Sequence, residues 1–422
     1  MLGQLEIMQA VMTSLPFGSI YAVFAAGYFL SYTFRVVNAV IAPDLTRELS
    51  LHPSSLGLLT SAYLLAFGLM QLPAGILLDR YGPRRVEPVL LAIAGIGAVA
   101  FGLAESQTGL VVARALIGAG VCVCLMAPLK ALAMWYPPER QAPLAGWIMV
   151  AGGVGALAAT TPLEFALRFA SWRTIFVALG CVTIAVAAAI AWRVPDTPRP
   201  ERPPSFAAQL EGVTLVFRHP RFWWLAPIGA LGMGSFMAIQ GLWAVPWMMD
   251  VDGMTRAGAA DRLFALGAVT LAGYVALGML SAQLTRRGVT PAHLYGVGFG
   301  VHTLALAAIV ANVPGSYLWW SLYGLGAAVN ILAFTVLGQG FAKELAARAN
   351  TTLNLMMFGT SFVAQWGIGI VAEHARGATE APSASGLATA FAIVLALDVA
   401  GMLWFARGWR RQMAPIAAVA RA

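Results

Sequence analysis

Charged residues are scarce in this chain: they make up 10% of its 422 residues, whereas 59% are hydrophobic. A soluble protein of this length needs far more charge to cover its surface. The apolar segments run instead for about 20 residues each, the length that crosses the hydrocarbon core of a bilayer. Because lipid cannot satisfy an open strand edge, every spanning segment should be helical. The scarcity of charge therefore predicts an all-α integral membrane protein.

Cysteine and clustered titratable residues are equally sparse. The three cysteines, Cys122, Cys124 and Cys181, all lie inside apolar runs, and on a helix the first two point in different directions. Neither a disulfide nor a metal site is expected, and small core residues are the simpler interpretation. No grouping of histidine, cysteine and carboxylates suggests a catalytic centre, so we predict neither an enzyme nor a cofactor. The segment 1–14 lacks the basic start of a secretory signal.

Twelve apolar spans follow from the hydropathy pattern. A proline-rich connection that begins at Val194 separates spans 6 and 7, and its later part, SFAAQLEGVTLVFRH, is predicted to form an amphipathic helix on the membrane surface. The predicted domains are a six-helix bundle (1–195), a linker (196–221) and a second six-helix bundle (222–422). The predicted spans are 18–42, 56–78, 86–105, 108–134, 144–164, 173–193, 223–248, 261–284, 291–312, 315–341, 350–372 and 384–406.

Arginine and lysine are divided unevenly between the two sides of the membrane. If both termini face the cytoplasm, most of the 26 basic residues fall on the cytoplasmic side, as the positive-inside rule requires. The net charge of +8 therefore has a membrane explanation, and no nucleic-acid partner is expected. We predict a multi-pass protein of the inner (plasma) membrane. Three basic residues fall within predicted spans: Arg35, Arg114 and Lys130.

Four charges crowd into GILLDRYGPRR, residues 75–85, which joins spans 2 and 3. Gly75 is expected to let another helix approach closely, and Gly82 to adopt a turn conformation that other residues resist. Asp79 needs a partner where the helix leaves lipid, and either a helix N-terminus or a nearby arginine would serve. The residues singled out in this loop are Gly75, Asp79, Arg80, Gly82, Arg84 and Arg85.

These loop residues resemble the signature between spans 2 and 3 of the major facilitator superfamily. A weaker echo, GMLSAQLTRRG at 278–288, lies between spans 8 and 9 but lacks the aspartate, as expected of an internal repeat. VVARALIGAG and SWRTIFVALG also resemble spans 4 and 6 of the family. The resemblance implies twelve helices in two pseudo-symmetric six-helix bundles, which rock about a central substrate site by alternating access.

In that family the loop latches the two halves together on the cytoplasmic side while the site opens outward. The resemblance therefore implies that Asp79 faces the N-terminus of span 11, which begins in this sequence at NTTLN. Asn350 or Thr351 is expected to cap that helix and leave backbone N–H groups for the carboxylate.

Span 1 carries a polar stripe on one helical face, since its polar residues recur at spacings of three and four. An arginine inside a span costs about 2.5–3.5 kcal/mol on insertion scales, and an anionic ligand would offset that cost. The guanidinium fork of Arg35 suits carboxylate or phosphate oxygens. The alternative is that Arg35 snorkels to the outer interface. The stripe consists of Tyr28, Ser31, Tyr32, Arg35 and Asn38.

The sequence RVVNAVIAP, which begins at Arg35, is also similar to span 1 of organic-anion and sugar-phosphate porters of that superfamily. The resemblance implies that Arg35 holds the substrate anion. The phosphate porters add a second arginine in span 7, where this chain offers Gln240 and no arginine. This departure favours a monoanion such as a carboxylate.

Further candidates lie on single faces of spans 7, 10 and 11, and Lys130 lies near the cytoplasmic end of span 4. The stripe of span 7 is rich in aromatic residues and methionine, which suits an organic body, although core packing is the alternative. Lys130 would either snorkel or add positive charge to the cavity wall. The predicted substrate-binding residues are Arg35, Tyr28, Tyr32, Asn38, Lys130, Gln240, Trp243, Trp247, Tyr323, Asn330, Asn354 and Gln365.

The leading hypothesis is a monomeric carrier for small organic anions in the bacterial inner membrane. The rival is an efflux carrier for amphipathic drugs or metabolites, although AGGVGALAATTPLE in span 5 lacks the Gly-Pro order of the family's antiporter signature. The titratable residues Asp398 and His302 lie mid-span, in spans that are peripheral in the family, and are interpreted as structural. Coupling to a proton, exchange for a counter-anion and uniport all stay open.

Overall fold

The computed structural model describes residues 17–196, 206–374 and 384–419, and all regular structure in these ranges is helical. The segment 1–14 and the proline-rich stretch 197–205, on which two of the expectations above fall, lie outside the described residues. Eleven helices in the described ranges are long and apolar enough to cross a membrane, and the shorter apolar helix Pro143–Ala158 provides a twelfth span. The prediction of an all-helical chain with twelve spans is confirmed.

The spans keep their predicted order, and each consists of one helix or of consecutive helical pieces. A separate helix, Phe206–Phe217, occupies the linker between spans 6 and 7. Spans 1 to 6 are Phe17–Leu49, Pro53–Tyr81, Pro83–Leu103, Gln107–Val121 with Met126–Trp135, Pro138–Ala158 with Thr161–Ala166, and Trp172–Arg193. Spans 7 to 12 are Pro220–Ala238 with a π-helical turn (Ile239–Trp243) and Ala244–Asp250, then Arg256–Arg286, Pro291–Val310, Ser316–Ala327 with Asn330–Gly338, Lys343–His374 and Ala384–Val419.

Several helices extend beyond the apolar segments that reveal them. Span 11 begins at Lys343, seven residues before the predicted start, because KELAARA consists mainly of strong helix formers although it is polar. Asn350 and Thr351 therefore lie inside this helix and do not cap it; the Thr351 hydroxyl donates to the carbonyl of Ala347 (3.1 Å). The predicted cap was wrong, since hydropathy locates the lipid-crossing part of a helix and not its end.

Polar contacts join the two halves of the molecule at the end where spans 1 and 2 meet, here called the closed end. Arg256 pairs with Asp44 (2.8 Å), and Thr161 donates to Asp261 (2.8 Å). The backbone N–H of Ser54 also donates to a side-chain oxygen of Glu373 (3.1 Å). The opposite end, which carries the charged loop 75–85, is here called the open end.

Candidate functional site

A cavity of about 1700 Å³ lies between the two halves and extends to the open end. Spans 1, 4, 7 and 10 line it, and spans 2, 5, 8 and 11 add to the wall where the halves face each other. A pocket for one small molecule typically has about 300–1,000 Å³. The larger volume therefore combines a binding region with an access path.

Arg35 lines the part of the cavity farthest from the open end. The guanidinium carbon lies 4.4 Å from the ring centroid of Tyr32, 5.1 Å from that of Phe67 and 5.6 Å from that of Phe358. The Nε atom is buried without a hydrogen-bond partner, and no described carboxylate lies within ion-pair distance of Arg35. Arg35 therefore does not snorkel to the outer interface; it faces the cavity from within a group of aromatic rings.

The residues of the span 1 stripe that precede Arg35 line the cavity, and the one that follows it does not. Tyr28, Ser31 and Tyr32 line the cavity, and the two tyrosine rings meet edge to face at 5.1 Å. Asn38 does not line it. It is completely buried and donates to the hydroxyl of Thr60 (3.0 Å), because spans 1 and 2 pack together towards the closed end.

Span 4 is interrupted between Val121 and Met126 beside the cavity. An interruption leaves backbone carbonyls without their usual helical donors, and discontinuous helices commonly form substrate sites in transporters. Side chains of the neighbouring spans reach these carbonyls: Ser31 donates to Val121 (3.5 Å) and Gln71 to Cys122 (3.4 Å). Arg114, in the other part of span 4, is completely buried and donates to the carbonyl of Phe34 (3.0 Å).

Gln71 belongs to a cavity-facing row of span 2 that the sequence analysis missed. Phe67, Gln71, Gly75 and Asp79 all line the cavity and recur every four residues. That spacing places them on one helical face, so it was a detectable signal. It was overlooked because the row is mixed in character, with one aromatic ring, one amide, one glycine and one carboxylate.

The predicted stripe of span 7 is broken by its π-helical turn. Gln240 lines the cavity, but Trp243 and Trp247 do not. Trp243 donates to the carbonyl of Gln365 (2.8 Å), and Trp247 donates to Asp252 (3.1 Å) and stacks on Phe391. Since a π turn contains an extra residue, the side chains beyond it rotate away from the face that a regular helix predicts. The cavity role of both tryptophans was wrong.

Of the residues predicted on spans 10 and 11, some line the cavity and others do not. Asn330 and Asn354 line the cavity, and both polar side-chain atoms of Asn330 are buried without a hydrogen-bond partner. Tyr323 does not line it, because span 10 is interrupted between Ala327 and Asn330 and the expected common face is lost. Gln365 lies about 16 Å along the helix from Asn354, at the closed end, and is buried outside the cavity.

Asp79 finds its partner within its own half of the molecule. Its carboxylate pairs with Lys130 (2.7 Å), and Lys130 also donates to the carbonyl of Leu78 (2.7 Å). The partner is therefore neither an arginine nor the end of span 11. Both residues line the open end of the cavity, so the charge of Lys130 is neutralised there by Asp79.

The remaining residues of the charged loop have different structural roles. Gly82 has a φ of 78°, which glycine adopts without strain, and Gly288 in the echo loop has a φ of 85°. A side chain at Gly75 would meet open space, so the expected close helix contact is absent. The three arginines fix the loop locally: Arg80 lies over the ring of Tyr81, Arg84 donates to the carbonyl of Ala191, and Arg85 pairs with Asp196.

Substitution Asp79→Asn is expected to lower the transport rate much more than the amount of protein in the membrane. The ion pair with Lys130 is partly exposed and contributes little to stability, so folding should survive its loss. Rates in reconstituted vesicles, normalised to protein content, measure the effect. An unchanged rate would remove any gating role of Asp79.

Two apolar halves of six spans each, around a large central cavity, define a multi-pass membrane protein. A sequence model of the Major Facilitator Superfamily matches residues 24–365. The chain therefore belongs to the major facilitator superfamily.

Curated relatives match part of the chain. A probable sulfoacetate transporter of Cupriavidus necator is 32% identical over 172 residues, and a hexuronate transporter of Escherichia coli K12 is 30% identical over 173 residues. These matches span about 40% of the length of either relative and about as much of this chain. In fold, the chain resembles a bacterial homologue of the human lysosomal transporter Spinster in an inward-facing, occupied conformation. The TM-score is 0.75 at 20% identity, over 93% of this chain and 96% of that one.

Proposed function

We propose that the chain is a secondary transporter that moves a small organic anion, such as a carboxylate, across the bacterial inner membrane by alternating access. The observation that carries the proposal is Arg35, a cation on the cavity wall with no carboxylate partner among the described residues. Removing a cation from water is costly unless an opposite charge or hydrogen bonds compensate it. A bound anion supplies both.

The surroundings of Arg35 suit the organic part of such a substrate. Tyr32, Phe67 and Phe358 provide ring faces around the guanidinium. The amides of Gln240 and Asn330 also line the cavity and can hydrogen-bond to hydroxyl or carbonyl groups. The transporters of sulfoacetate and hexuronate that the chain resembles act on organic acids, which supports the same class here.

The orientation follows from the basic residues. The open end carries Arg80, Arg84 and Arg85, so the positive-inside rule assigns it, and with it both termini, to the cytoplasm. The structure then corresponds to an inward-open state, with its closed end outside. In this proposal the bundles 1–195 and 222–422 rock against each other, joined by the linker 196–221, and the chain acts as a monomer.

An efflux carrier for amphipathic compounds is the second candidate. The observation that favours it is the volume of the cavity together with its largely apolar wall, to which Trp147, Met126, Met149, Met233 and Met279 contribute. Soft methionine side chains and aromatic rings accommodate varied apolar bodies. Such a carrier would not need the unpaired charge of Arg35.

A thermal-shift screen of the purified protein distinguishes the two functions. Glucuronate and glucose form a matched pair, because glucuronate carries a carboxylate where glucose carries a hydroxymethyl group. If the protein carries organic anions, glucuronate, sulfoacetate or another simple carboxylate should raise the melting temperature, whereas glucose should not. Ligand at 100 times its dissociation constant stabilises the folded state by about 2.7 kcal/mol. Stabilisation by cationic dyes alone would contradict the anion carrier and favour efflux.

A further inference from the structure

A buried polar cluster lies in the second half of the molecule, outside the cavity. Its central group is Asp398 of span 12, which accepts a hydrogen bond from Ser235 of span 7 (3.2 Å) and lies 3.8 Å from the Nε2 atom of His302 in span 9. The other ring nitrogen of His302 lies 3.1 Å from the carbonyl oxygen of Tyr323 in span 10, and the two rings stack at 4.1 Å. Four spans therefore meet at one carboxylate.

The carboxylate is only partly satisfied. Asp398 and His302 are 0% and 1% exposed, and the second oxygen of Asp398 has no hydrogen-bond partner. The titratable groups that interact with Asp398 among the described residues are His302, Tyr295 and Tyr323. Span 7 adds only the hydroxyl of Ser235. An ionised aspartate in this place is costly without a proton on itself or on His302.

The cluster adjoins the cavity wall through spans 7 and 10. Phe236, the neighbour of Ser235, lines the cavity, and Gln240 follows it in the π-helical turn. Asn330 lines the cavity as well, and its side-chain oxygen lies close to Gly232, one turn before Ser235. Asp398 therefore lies beside the segment of span 7 that carries cavity residues, and π turns often mark functional sites.

We propose that Asp398 and His302 form a proton-binding site that couples transport to a proton gradient. The pair is neutral overall when it holds one proton, and it leaves a buried negative charge beside span 7 when that proton departs. The proton site and the anion site at Arg35 lie in opposite halves of the molecule. One proton carried with one monoanion makes the transport cycle electroneutral. This inference rests on the proposed transport of an organic anion.

A second buried carboxylate, Glu87 in span 3, is the alternative proton site. It is 0% exposed, and neither of its oxygens has a hydrogen-bond partner. Its side chain lies against Gly27 of span 1, and Glu87 is absent from the cavity wall. Asp398 is favoured because a histidine, a serine and two cavity-lining spans surround it.

Two assays in proteoliposomes test the proposal, with labelled glucuronate or sulfoacetate as probe. Counterflow exchanges anions without net proton movement, whereas accumulation against a gradient requires coupling. With one proton per monoanion, a difference of one pH unit supports about tenfold accumulation. Asp398→Asn is expected to keep counterflow and to lose accumulation, reaching equal concentrations inside and outside. The matched control Glu105→Gln removes an exposed carboxylate at the closed end and should behave as the wild type.

Each other result overturns the proposal. Wild-type accumulation by folded Asp398→Asn protein, loss of counterflow as well as accumulation, or decoupling by Glu87→Gln alone would each exclude Asp398 as the coupling site. If Asp398→Asn does not yield monodisperse protein, His302→Gln takes its place under the same criteria. Wild-type protein that shows counterflow but no gradient-driven accumulation would refute proton coupling and leave the anion carrier intact.

A measurement without substrate separates this proposal from the proposed function. If the wild type exchanges none of the acids, the anion carrier fails, and infrared spectroscopy then tests the proton site alone. A carbonyl band of a protonated carboxylic acid that titrates with pH and disappears in Asp398→Asn would support the site. A band that does not titrate, or that persists in the variant, would overturn it.

Discussion

Replacement of Arg35 by alanine is expected to abolish measurable binding of organic acids while the protein stays folded. Hydrogen bonds to a charged group contribute about 1.5–3 kcal/mol each, so loss of the guanidinium fork should weaken binding about 100-fold or more. Folding should survive because Arg35 forms no ion pair with a described carboxylate and an alanine removes the cost of a partly buried cation. Calorimetric titration of glucuronate, with the wild type in parallel, measures the loss.

Two further variants isolate the cause. Arg35→Lys keeps the charge but not the planar fork, so intermediate affinity is expected. Arg140→Ala removes the same charge from an exposed position outside the cavity and should leave binding unchanged. Wild-type affinity in Arg35→Ala protein would refute the role of this residue in substrate binding.

Gly369→Ala is expected to shift the protein towards a state in which the closed end opens. Gly369 of span 11 contacts the backbone of Pro53 and Ser54 in span 2, across the junction of the two halves at the closed end. A methyl group there would collide with the carbonyl oxygen of Pro53. Because this oxygen belongs to the backbone, no side-chain rotation can relieve the clash. Overpacking of this kind costs about 1–3 kcal/mol. The contact exists only while the closed end is shut, so the cost falls on one state and shifts the equilibrium by about 5-fold to 150-fold.

The matched control lies two residues earlier on the same helix. A methyl group at Gly367 meets open space, so Gly367→Ala should leave the equilibrium unchanged. Spin labels at Glu105 and Val313, exposed positions in loops of the two halves at the closed end, report its opening as a longer distance. An unchanged distance distribution in Gly369→Ala protein would show that the closed end tolerates the methyl group, contrary to the prediction.

The sequence predicted the site best where a single regular helix carries it. Tyr28, Tyr32 and Arg35 share one face of an uninterrupted part of span 1, and the structure places all three on the cavity wall. The same periodicity failed for Trp243 and Tyr323, because a π turn and a helix break shift the phase of the side chains. Neither irregularity had been inferred from the sequence.

Pairings between side chains of distant segments could not be predicted from the sequence either. Asp79 required a partner, but hydropathy and spacing could not show that Lys130, 51 residues away, would provide it. Likewise Asp398 and His302 appeared as two isolated residues in peripheral spans, and only the packing of spans 7, 9, 10 and 12 brings them together.

The sequence by itself determined the number and order of the spans and the all-helical fold, because a lipid solvent imposes length, hydropathy and charge patterns that can be read locally. The motif at 75–85 indicated the family by resemblance. It also determined that an arginine lies within span 1. Only the tertiary structure decided which polar side chains face the cavity, which pair with one another and which end of the molecule is shut. Those outcomes depend on contacts between helices far apart in the chain and on local changes of helical phase.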